Sequence, residues 1–350
     1  MRLSDLQIYR GNRNLKRSNV QVEFTTDQIL EFAKCAKDPI YFCEKYVKIV
    51  NVDLGLIPFN PYEFQRDMAY KIQNNRFVIC KMPRQVGKTT GVVGLLLHFI
   101  LFNENYNIAV LANKEKQARE ILGRVALAYE WLPAWLQQGI IEWNKSTVEL
   151  ENGSKITASS TSSNAIRGQS YNLIYLDEFA FVPRNIQDQF FASVYPTITS
   201  GKTTKLVITS TPNGMDLFYK LWVDSEQNRN DYVRCDVHWS SVPGRDEAWK
   251  DSQIRNTSPE QFRQEFECEF LGSTNTLIHA SILSKLTFKP PTSSDGKLDI
   301  YYPPEKDHFY VCTVDVSRGV GLDYCAFTLI DCTSFPYKID KGLPSTGLAR

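Results

Sequence analysis

The chain lacks the residue patterns that mark most zinc proteins and secreted proteins. Its eight cysteines include no C-x-x-C pair, and no two of its four histidines lie four residues apart, so no zinc site is visible. Several cysteines lie inside apolar runs, where a reduced thiol packs as a small hydrophobic group. We therefore expect a protein of a reducing cytosol.

Long apolar segments and an excess of one charge are also absent. The N-terminus has no signal-peptide core, and the longest apolar stretch, 91–102, is short and interrupted by His98. It cannot span a bilayer, so we expect a soluble intracellular protein. The 40 basic residues nearly balance the 39 acidic residues, so any contact with nucleic acid must come from a local basic surface.

The most informative segment that is present covers residues 77–90. An apolar run leads into a tight loop that ends in Gly87-Lys88-Thr89 and continues into a helix-compatible stretch. Backbone N–H groups of such a loop surround phosphates, while Lys88 reaches the β and γ oxygens and the Thr89 hydroxyl holds Mg²⁺. Met82 replaces the first glycine of the usual pattern G-x-x-x-x-G-K-[ST]. The alternative to a phosphate-binding loop is an ordinary strand-to-helix turn whose lysine is solvated. The predicted nucleotide-binding residues are Pro83, Arg84, Gln85, Val86, Gly87, Lys88, Thr89 and Thr90.

A second element consists of four largely apolar residues followed by Asp177 and Glu178. Asp177 is predicted to hold the metal that bridges the phosphates, and Glu178 to polarise the attacking water. A solvated strand end with a helix-capping acid is the alternative. The pair follows Lys88 by 89 residues, with a strand-like run at 108–112 between them, which is typical of additional-strand P-loop ATPases.

Two further side chains near the loop are candidates for the same site. Gln65 precedes the loop by about twenty residues, and its amide matches the N6 and N7 edge of adenine. Arg84 lies inside the loop, where its guanidinium can stabilise charge on the γ-phosphate as an arginine finger does. The alternatives are a surface glutamine and a salt bridge from Arg84 to a neighbouring carboxylate.

Hydroxyl groups and basic side chains supply the remaining candidates. Thr209, Ser210 and Thr211 end a predicted strand and are expected to sense the γ-phosphate, although threonine is also common in strands. Arg167 tips an exposed loop, where it contacts DNA phosphates or an adjoining subunit, or is simply solvated. Basic residues with the spacing of a helix face offer a weaker DNA surface, and a solvated face is their usual role: Lys114, Lys116, Arg119 and Arg124.

Alternating apolar runs and helical segments predict an α/β fold. Its main part is a P-loop NTPase core of the additional-strand, RecA-like type, with a mostly parallel sheet and helices on both faces. The expected divisions are an N-terminal helical accessory region (1–57), the ATPase core (58–240), a helical subdomain (241–287), a linker (288–306) and the start of a further domain (307–350). The predicted core strands are 77–81, 108–112, 155–159, 173–177, 205–210 and 232–237.

The ordered set of motifs resembles the large terminase subunit of T-even-like tailed phages. The motifs are those at 64–68, 83–90, 139–145, 166–168, 174–180 and 209–214, and the resemblance runs from about 58 to 225. It implies an ATPase that drives double-stranded DNA into a procapsid through the portal protein, as a homo-oligomeric ring that works with a small terminase subunit. The resemblance further implies that the protein acts in the cytoplasm of a bacterial host, transiently on the procapsid. It also implies ATP and Mg²⁺ as ligands, Gln65 as the adenine contact, Arg84 as the cis-acting arginine and 209–211 as the coupling motif.

The same resemblance implies that 307–350 is an incomplete ribonuclease-H-like nuclease domain, with a nuclease motif at 314–324. Asp315 would bind one of two divalent metals, Mg²⁺ or Mn²⁺, and Asp323 lies nearby. Two-metal chemistry needs more carboxylates than these two, so we expect that this chain alone does not cleave DNA. Nicking of a supercoiled plasmid by the pure chain would contradict that expectation.

Two alternative functions share part of this pattern. A helicase or restriction-type translocase has the same core but needs a second complete RecA-like unit. A nucleotide-dependent assembly switch binds ATP without useful turnover and needs no water activator. Glu178 and Arg84 therefore favour the packaging motor over a switch.

Overall fold

The computed structural model of the chain describes residues 7–162, 166, 168–270, 291–294, 298–316, 326–334 and 338–342. The chain divides into two compact units, Met1–Ala280 and Ser281–Arg350. The finer subdivision predicted from the sequence stays a prediction.

Helices and strands alternate through the first unit. The helices are α1 (Thr26–Lys37), α2 (Pro39–Tyr46), α3 (Glu63–Asn74), α4 (Lys88–Phe102), α5 (Glu115–Glu130), α6 (Arg184–Ser200), α7 (Leu217–Glu226), α8 (Glu247–Asn256) and α9 (Pro259–Glu265). The strands are β1 (Ile8–Tyr9), β2 (Asn12–Lys16), β3 (Lys48–Asn51), β4 (Gly55–Pro58), β5 (Phe77–Lys81), β6 (Asn107–Ala112), β7 (Ile140–Trp143), β8 (Thr147–Leu150), β9 (Lys155–Ser160), β10 (Leu173–Asp177), β11 (Lys205–Ser210) and β12 (Val233–Asp236).

Eight of these strands form one sheet in the order β12-β5-β11-β10-β6-β9-β8-β7. The pairs from β12 to β9 are parallel, and β8 and β7 extend the sheet as antiparallel strands. The predicted additional-strand fold is confirmed. In space β11 lies between the loop strand β5 and the acidic strand β10, whereas β6, which lies between those two in the sequence, pairs with the other side of β10.

Successive residues of the central strands face two separate cores. Tyr175 and Val207 pack in the core beneath α2 to α5, whereas Ile174 and Ile208 pack in the core beneath α6 and α7. Strands buried on both faces are typical of parallel sheets covered by helices. The carboxyl ends of β5, β10 and β11 consequently meet at one edge, where loops and helix starts are accessible.

The N-terminal region agrees with its predicted helices and adds strands to them. The sequence predicts helix from 26 to 47 with a break at Pro39, and the structure has α1 and α2 on either side of Asp38. The Thr25 hydroxyl accepts from the Gln28 N–H, and Asp38 caps α2 in the same way. Two antiparallel hairpins, β1-β2 and β3-β4, were not predicted.

Helix α4 is apolar all round and almost entirely buried, which places His98 in the core. Its Nε2 lies 3.0 Å from the Cys35 carbonyl oxygen, and its buried Nδ1 has no hydrogen-bond partner among the described residues. Burial lowers the pKa of His98 from 6.5 to about 4.

This histidine predicts acid sensitivity of the fold. Because its folded-state pKa is depressed, its contribution is complete above pH 6.5 and is lost as the pH falls through about 4. We expect this loss to reach about 3 kcal/mol of unfolding free energy. Denaturant unfolding of the wild type and of His98→Gln, which does not titrate, measures the difference. Parallel pH profiles of the two proteins would contradict the prediction.

The second unit has one antiparallel sheet in its described part. Its strands are β13 (Ser293–Ser294), β14 (Asp299–Ile300), β15 (Tyr310–Asp315), β16 (Ala326–Asp331) and β17 (Lys338–Gly342), in the order β13-β14-β17-β16-β15. Two of these strands fall inside the segment predicted as a linker. None of the described helices has the length and apolar character needed to cross a membrane.

Candidate active site

The loop between β5 and α4 has the backbone of a phosphate cradle. Gly87 is the N-cap of α4 with φ of 79°, and Gln85 is also left-handed with φ of 59°. Met82, in place of a glycine, is fully buried, and its N–H donates to the Ser210 carbonyl oxygen at 3.1 Å. The core therefore anchors the start of the loop, and the loop leads directly into the N-terminus of α4, where backbone N–H groups can bind an anion.

Gly87 is predicted to tolerate no side chain. A Cβ there would lie 2.7 Å from Gln65 Nε2, and its positive φ disfavours any other residue. We expect Gly87→Ala to cost about 1–3 kcal/mol of unfolding free energy and to weaken binding of an ATP analogue. Gly123→Ala on α5 is the matched control, because its Cβ meets nothing within 4 Å and should stabilise the helix by about 0.5–1 kcal/mol. Equal melting temperatures for the two variants would refute this reading of the loop.

The cradle lysine and the two acids meet at the carboxyl end of the sheet. Lys88 is buried, and its Nζ forms an ion pair with Glu178 Oε1. Glu178 has a left-handed backbone with φ of 51°, which turns it away from the direction of β10. Its Oε2 is buried and has no hydrogen-bond partner within the described structure. An unpartnered buried oxygen is costly, and a bound water or ligand would satisfy it.

Asp177 lies beneath this ion pair and is 8% exposed. Its Oδ1 accepts hydrogen bonds of 2.9 Å from the Tyr175 and Thr209 hydroxyls. Burial raises the pKa of Asp177, while Lys88 nearby and the two hydroxyls oppose that rise. A cation beside this carboxylate would compensate the cost of its burial.

The predicted coupling residues are buried and join both halves of the site. Thr209 contacts Asp177, and the Ser210 hydroxyl accepts from the Ala180 N–H at 3.1 Å, just after Glu178. The Thr211 hydroxyl donates to the Met82 carbonyl oxygen at 3.3 Å, at the start of the cradle. The segment therefore contacts the acids and the phosphate loop, as a sensing element must, although sensing itself stays a prediction.

The Gln65 side chain contacts the backbone of the cradle. Its Nε2 donates to the Gly87 carbonyl oxygen at 2.8 Å, and its Oε1 accepts from the Tyr62 N–H at 2.8 Å. Both polar atoms are thus engaged within the protein, and an adenine contact requires at least one of them to exchange partners. The adenine role stays a prediction.

Arg84 is in the conformation that the sequence left as the alternative to a finger role. Its Nε forms a salt bridge with Glu265 at the end of α9, and its guanidinium lies 5.6 Å from the Phe181 ring centre. Its backbone N–H also donates to the Glu265 carbonyl oxygen at 3.0 Å. Arg84 must leave Glu265 before it can stabilise a γ-phosphate.

Sequence reasoning missed the segment that braces the cradle from outside. Arg245 donates to the carbonyl oxygens of Gln85 at 2.9 Å and Arg84 at 3.4 Å, and it stacks 4.6 Å from the Trp249 ring centre. No spacing rule links 245 or 265 to the loop, so this contact is visible only in three dimensions.

The residues present fit a nucleotide-held magnesium ion. Among the described residues, no group of three histidine, cysteine or acidic side chains is placed to hold a metal. Mg²⁺ usually takes one or two protein ligands and completes its shell with phosphate and water. Thr89, which is partly buried in the first turn of α4, and Asp177 would hold it, and the bound ion would neutralise phosphate charge.

The remaining predicted residues lie away from this centre. Arg167 and Asp323 are outside the described residues, and Asp315 is an exposed residue at the end of β15 in the second unit. On α5, Arg119 and Arg124 pair with Glu115 and Glu120 one turn earlier, which favours the solvated-face alternative for these two.

The sequence matches terminase subunits of phages and herpesviruses. The sequence model of the family described as "Terminase large subunit, T4likevirus-type, N-terminal" matches residues 79–285, more than half of the chain. The chain is 25% identical over 164 residues to tripartite terminase subunit 3 of equine herpesvirus 2, a match covering 45% of the chain and 23% of that protein. It is 26% identical over 140 residues to the human herpesvirus 8 counterpart, covering 39% and 20%. The chain thus spans about a quarter or less of these curated relatives.

Solved structures share the fold. The HK97 bacteriophage large terminase superposes with a TM-score of 0.59 at 19% identity, covering 87% of this chain and 67% of that one. A mutant of the Thermus phage large terminase ATPase domain gives a TM-score of 0.50 at 19% identity, covering 61% and 95%. At such identities the likeness concerns the fold alone.

Proposed function

The chain belongs to the large terminase subunit family of T4-like viruses, and from that premise we propose that it is the ATP-hydrolysing motor subunit of a viral DNA-packaging terminase. The observation that carries the proposal is the ion pair between Lys88 and Glu178 above Asp177. A lysine at the start of a buried helix and two acids at the end of a neighbouring strand are the parts that phosphoryl transfer requires.

In the proposed reaction, ATP enters the cradle and its phosphates compete for Lys88. Lys88 moves from Glu178 to the phosphate oxygens, and the freed carboxylate accepts a proton from the attacking water. Glu178 Oε2, which has no described partner, is the oxygen available to that water. Arg84 leaves Glu265 and stabilises the charge that develops on the γ-phosphate.

The proposed outcome of the reaction is movement of double-stranded DNA. Loss of the γ-phosphate is sensed at 209–211, which contact both the acids and the cradle. The proposed partners are DNA, the portal protein of the procapsid, a small terminase subunit and further copies of this chain in a ring. Lys114, the N-cap of α5, and Lys116 in its first turn are the basic residues we propose for a local DNA contact.

The test is ATP hydrolysis by the purified chain with Mg²⁺, with and without linear duplex DNA and portal-bearing procapsids. We expect DNA and procapsids to raise the rate, and the DNA effect to weaken as salt increases. Hydrolysis that ignores both additions would contradict a packaging motor, and binding of ATP without hydrolysis would favour an assembly switch. Metal binding by Asp315 is a separate proposal, and the plasmid-nicking assay is expected to show no cleavage by this chain alone.

A further inference from the structure

Tyr175 places a polar group where packing alone needs none. It lies two residues before Asp177 on the same face of β10 and is fully buried. Its hydroxyl is 2.9 Å from Asp177 Oδ1 and 2.9 Å from Thr209 Oγ1. A phenylalanine would fill the same volume without a hydroxyl to satisfy, so the hydroxyl must be explained by its partners.

Three oxygen atoms form a closed triangle in this buried position. The third side is the 2.9 Å hydrogen bond from Thr209 Oγ1 to Asp177 Oδ1. An ionised carboxylate has no proton, so the two hydroxyls supply two protons for three contacts. Because both hydroxyl protons point at Oδ1, no proton is left for the contact between the Tyr175 and Thr209 oxygens. Both hydroxyls therefore donate to the same oxygen of the ionised carboxylate.

This arrangement fixes the orientation of the carboxylate. The hydrogen bonds that the described residues give to Asp177 both end on Oδ1. Rotation of the carboxylate group would break two bonds to a charged acceptor in a buried setting. Oδ2 is thereby left as the carboxylate oxygen available to a ligand. Side chains that orient a metal-binding group in this way commonly change metal affinity by about 10- to 100-fold.

We propose that Tyr175 is a positioning residue that, together with Thr209, holds the Asp177 carboxylate for the magnesium ion of the ATP complex. The inference rests on the proposed ATPase function. Tyr175 does not touch nucleotide or metal and acts only through Asp177. Its hydroxyl also ties Asp177 on β10 to Thr209 on β11, so the orientation of the acid depends on the strand that carries the coupling residues.

The test separates metal affinity from nucleotide affinity. Binding of a non-hydrolysable ATP analogue is measured with EDTA and with Mn²⁺, and bound Mn²⁺ is counted by electron paramagnetic resonance. For Tyr175→Phe we expect about tenfold weaker Mn²⁺ binding in the ternary complex and unchanged affinity in EDTA. Tyr129→Phe is the matched control. Tyr129 on α5 is equally buried, and its hydroxyl donates to the Gln138 carbonyl oxygen rather than to Asp177.

The outcomes distinguish this inference from the proposed function. If the wild type binds Mn²⁺ with the analogue and Tyr175→Phe binds it equally well, the positioning role is wrong. If the wild type binds no analogue, the ATPase proposal itself fails. Equal loss of Mn²⁺ affinity in Tyr129→Phe would show a general packing effect and would also overturn the inference. Should Tyr175→Phe fail to fold, Thr209→Val removes the other hydroxyl from Oδ1 and is subject to the same outcomes.

Discussion

Replacement of Glu178 by glutamine is expected to lower the rate of ATP hydrolysis by about 10²- to 10⁴-fold, which is the usual contribution of a positioned general base. Glutamine has nearly the same shape and can still accept from Lys88, but its amide cannot take a proton from water. The carboxylate is suited to that role because its Oε2 is buried and has no hydrogen-bond partner in the described part of the chain.

Binding should survive this substitution. Glu178→Gln removes the negative charge that holds Lys88 in the nucleotide-free protein, so affinity for ATP is expected to stay the same or rise. Glu120→Gln on α5 is a suitable control, since Glu120 is exposed and pairs with Arg124 one turn away. Steady-state turnover and analogue binding measure the two effects. Wild-type turnover in Glu178→Gln would remove the water-activating role and leave an assembly switch as the better account.

Replacement of Lys88 by alanine is expected to abolish tight nucleotide binding. A charged hydrogen bond to phosphate contributes about 1.5–3 kcal/mol, so affinity should fall by at least about tenfold and by more than a hundredfold at the upper limit. The fold should also lose about 1–3 kcal/mol, because Glu178 would be left partly buried without its cation.

A second variant separates the structural effect from the binding effect. Lys88→Met combined with Glu178→Gln removes both charges of the ion pair, and replacing both partners together is far less costly than stranding one of them. The double variant should regain most of the stability lost in Lys88→Ala, yet bind nucleotide no better. Calorimetric titration and denaturant unfolding give the two readouts. Recovery of nucleotide binding in the double variant would show that Lys88 serves only to neutralise Glu178.

The central strands were predictable because their signal is local. The predicted bounds of β5, β10 and β11 agree with the structure, since each strand is a largely apolar run that ends in a polar residue. The start of α9 carries a local signal of the same kind, since Ser258 accepts from the Gln261 N–H and Pro259 is the first helical residue.

What the sequence could not predict depends on contacts between distant residues. The strand order in space, with β11 between β5 and β10, follows from crossovers that apolar runs do not encode. The ion pair of Arg84 with Glu265 joins residues 181 positions apart. The sequence indicates only that Tyr175 belongs to an apolar strand. The role of its hydroxyl could not be predicted, because it depends on contacts with Asp177 and with Thr209 on another strand.

The proposed mechanism requires Lys88 to leave its ion pair with Glu178 and to bind the phosphates of ATP instead. A crystal structure of the chain with a non-hydrolysable ATP analogue and Mg²⁺ tests this directly. The predicted result has Lys88 Nζ on the β and γ oxygens, Thr89 and Asp177 around the metal, and Glu178 released to hold a water. An analogue bound elsewhere, or Lys88 still paired with Glu178 beside a bound nucleotide, would contradict it.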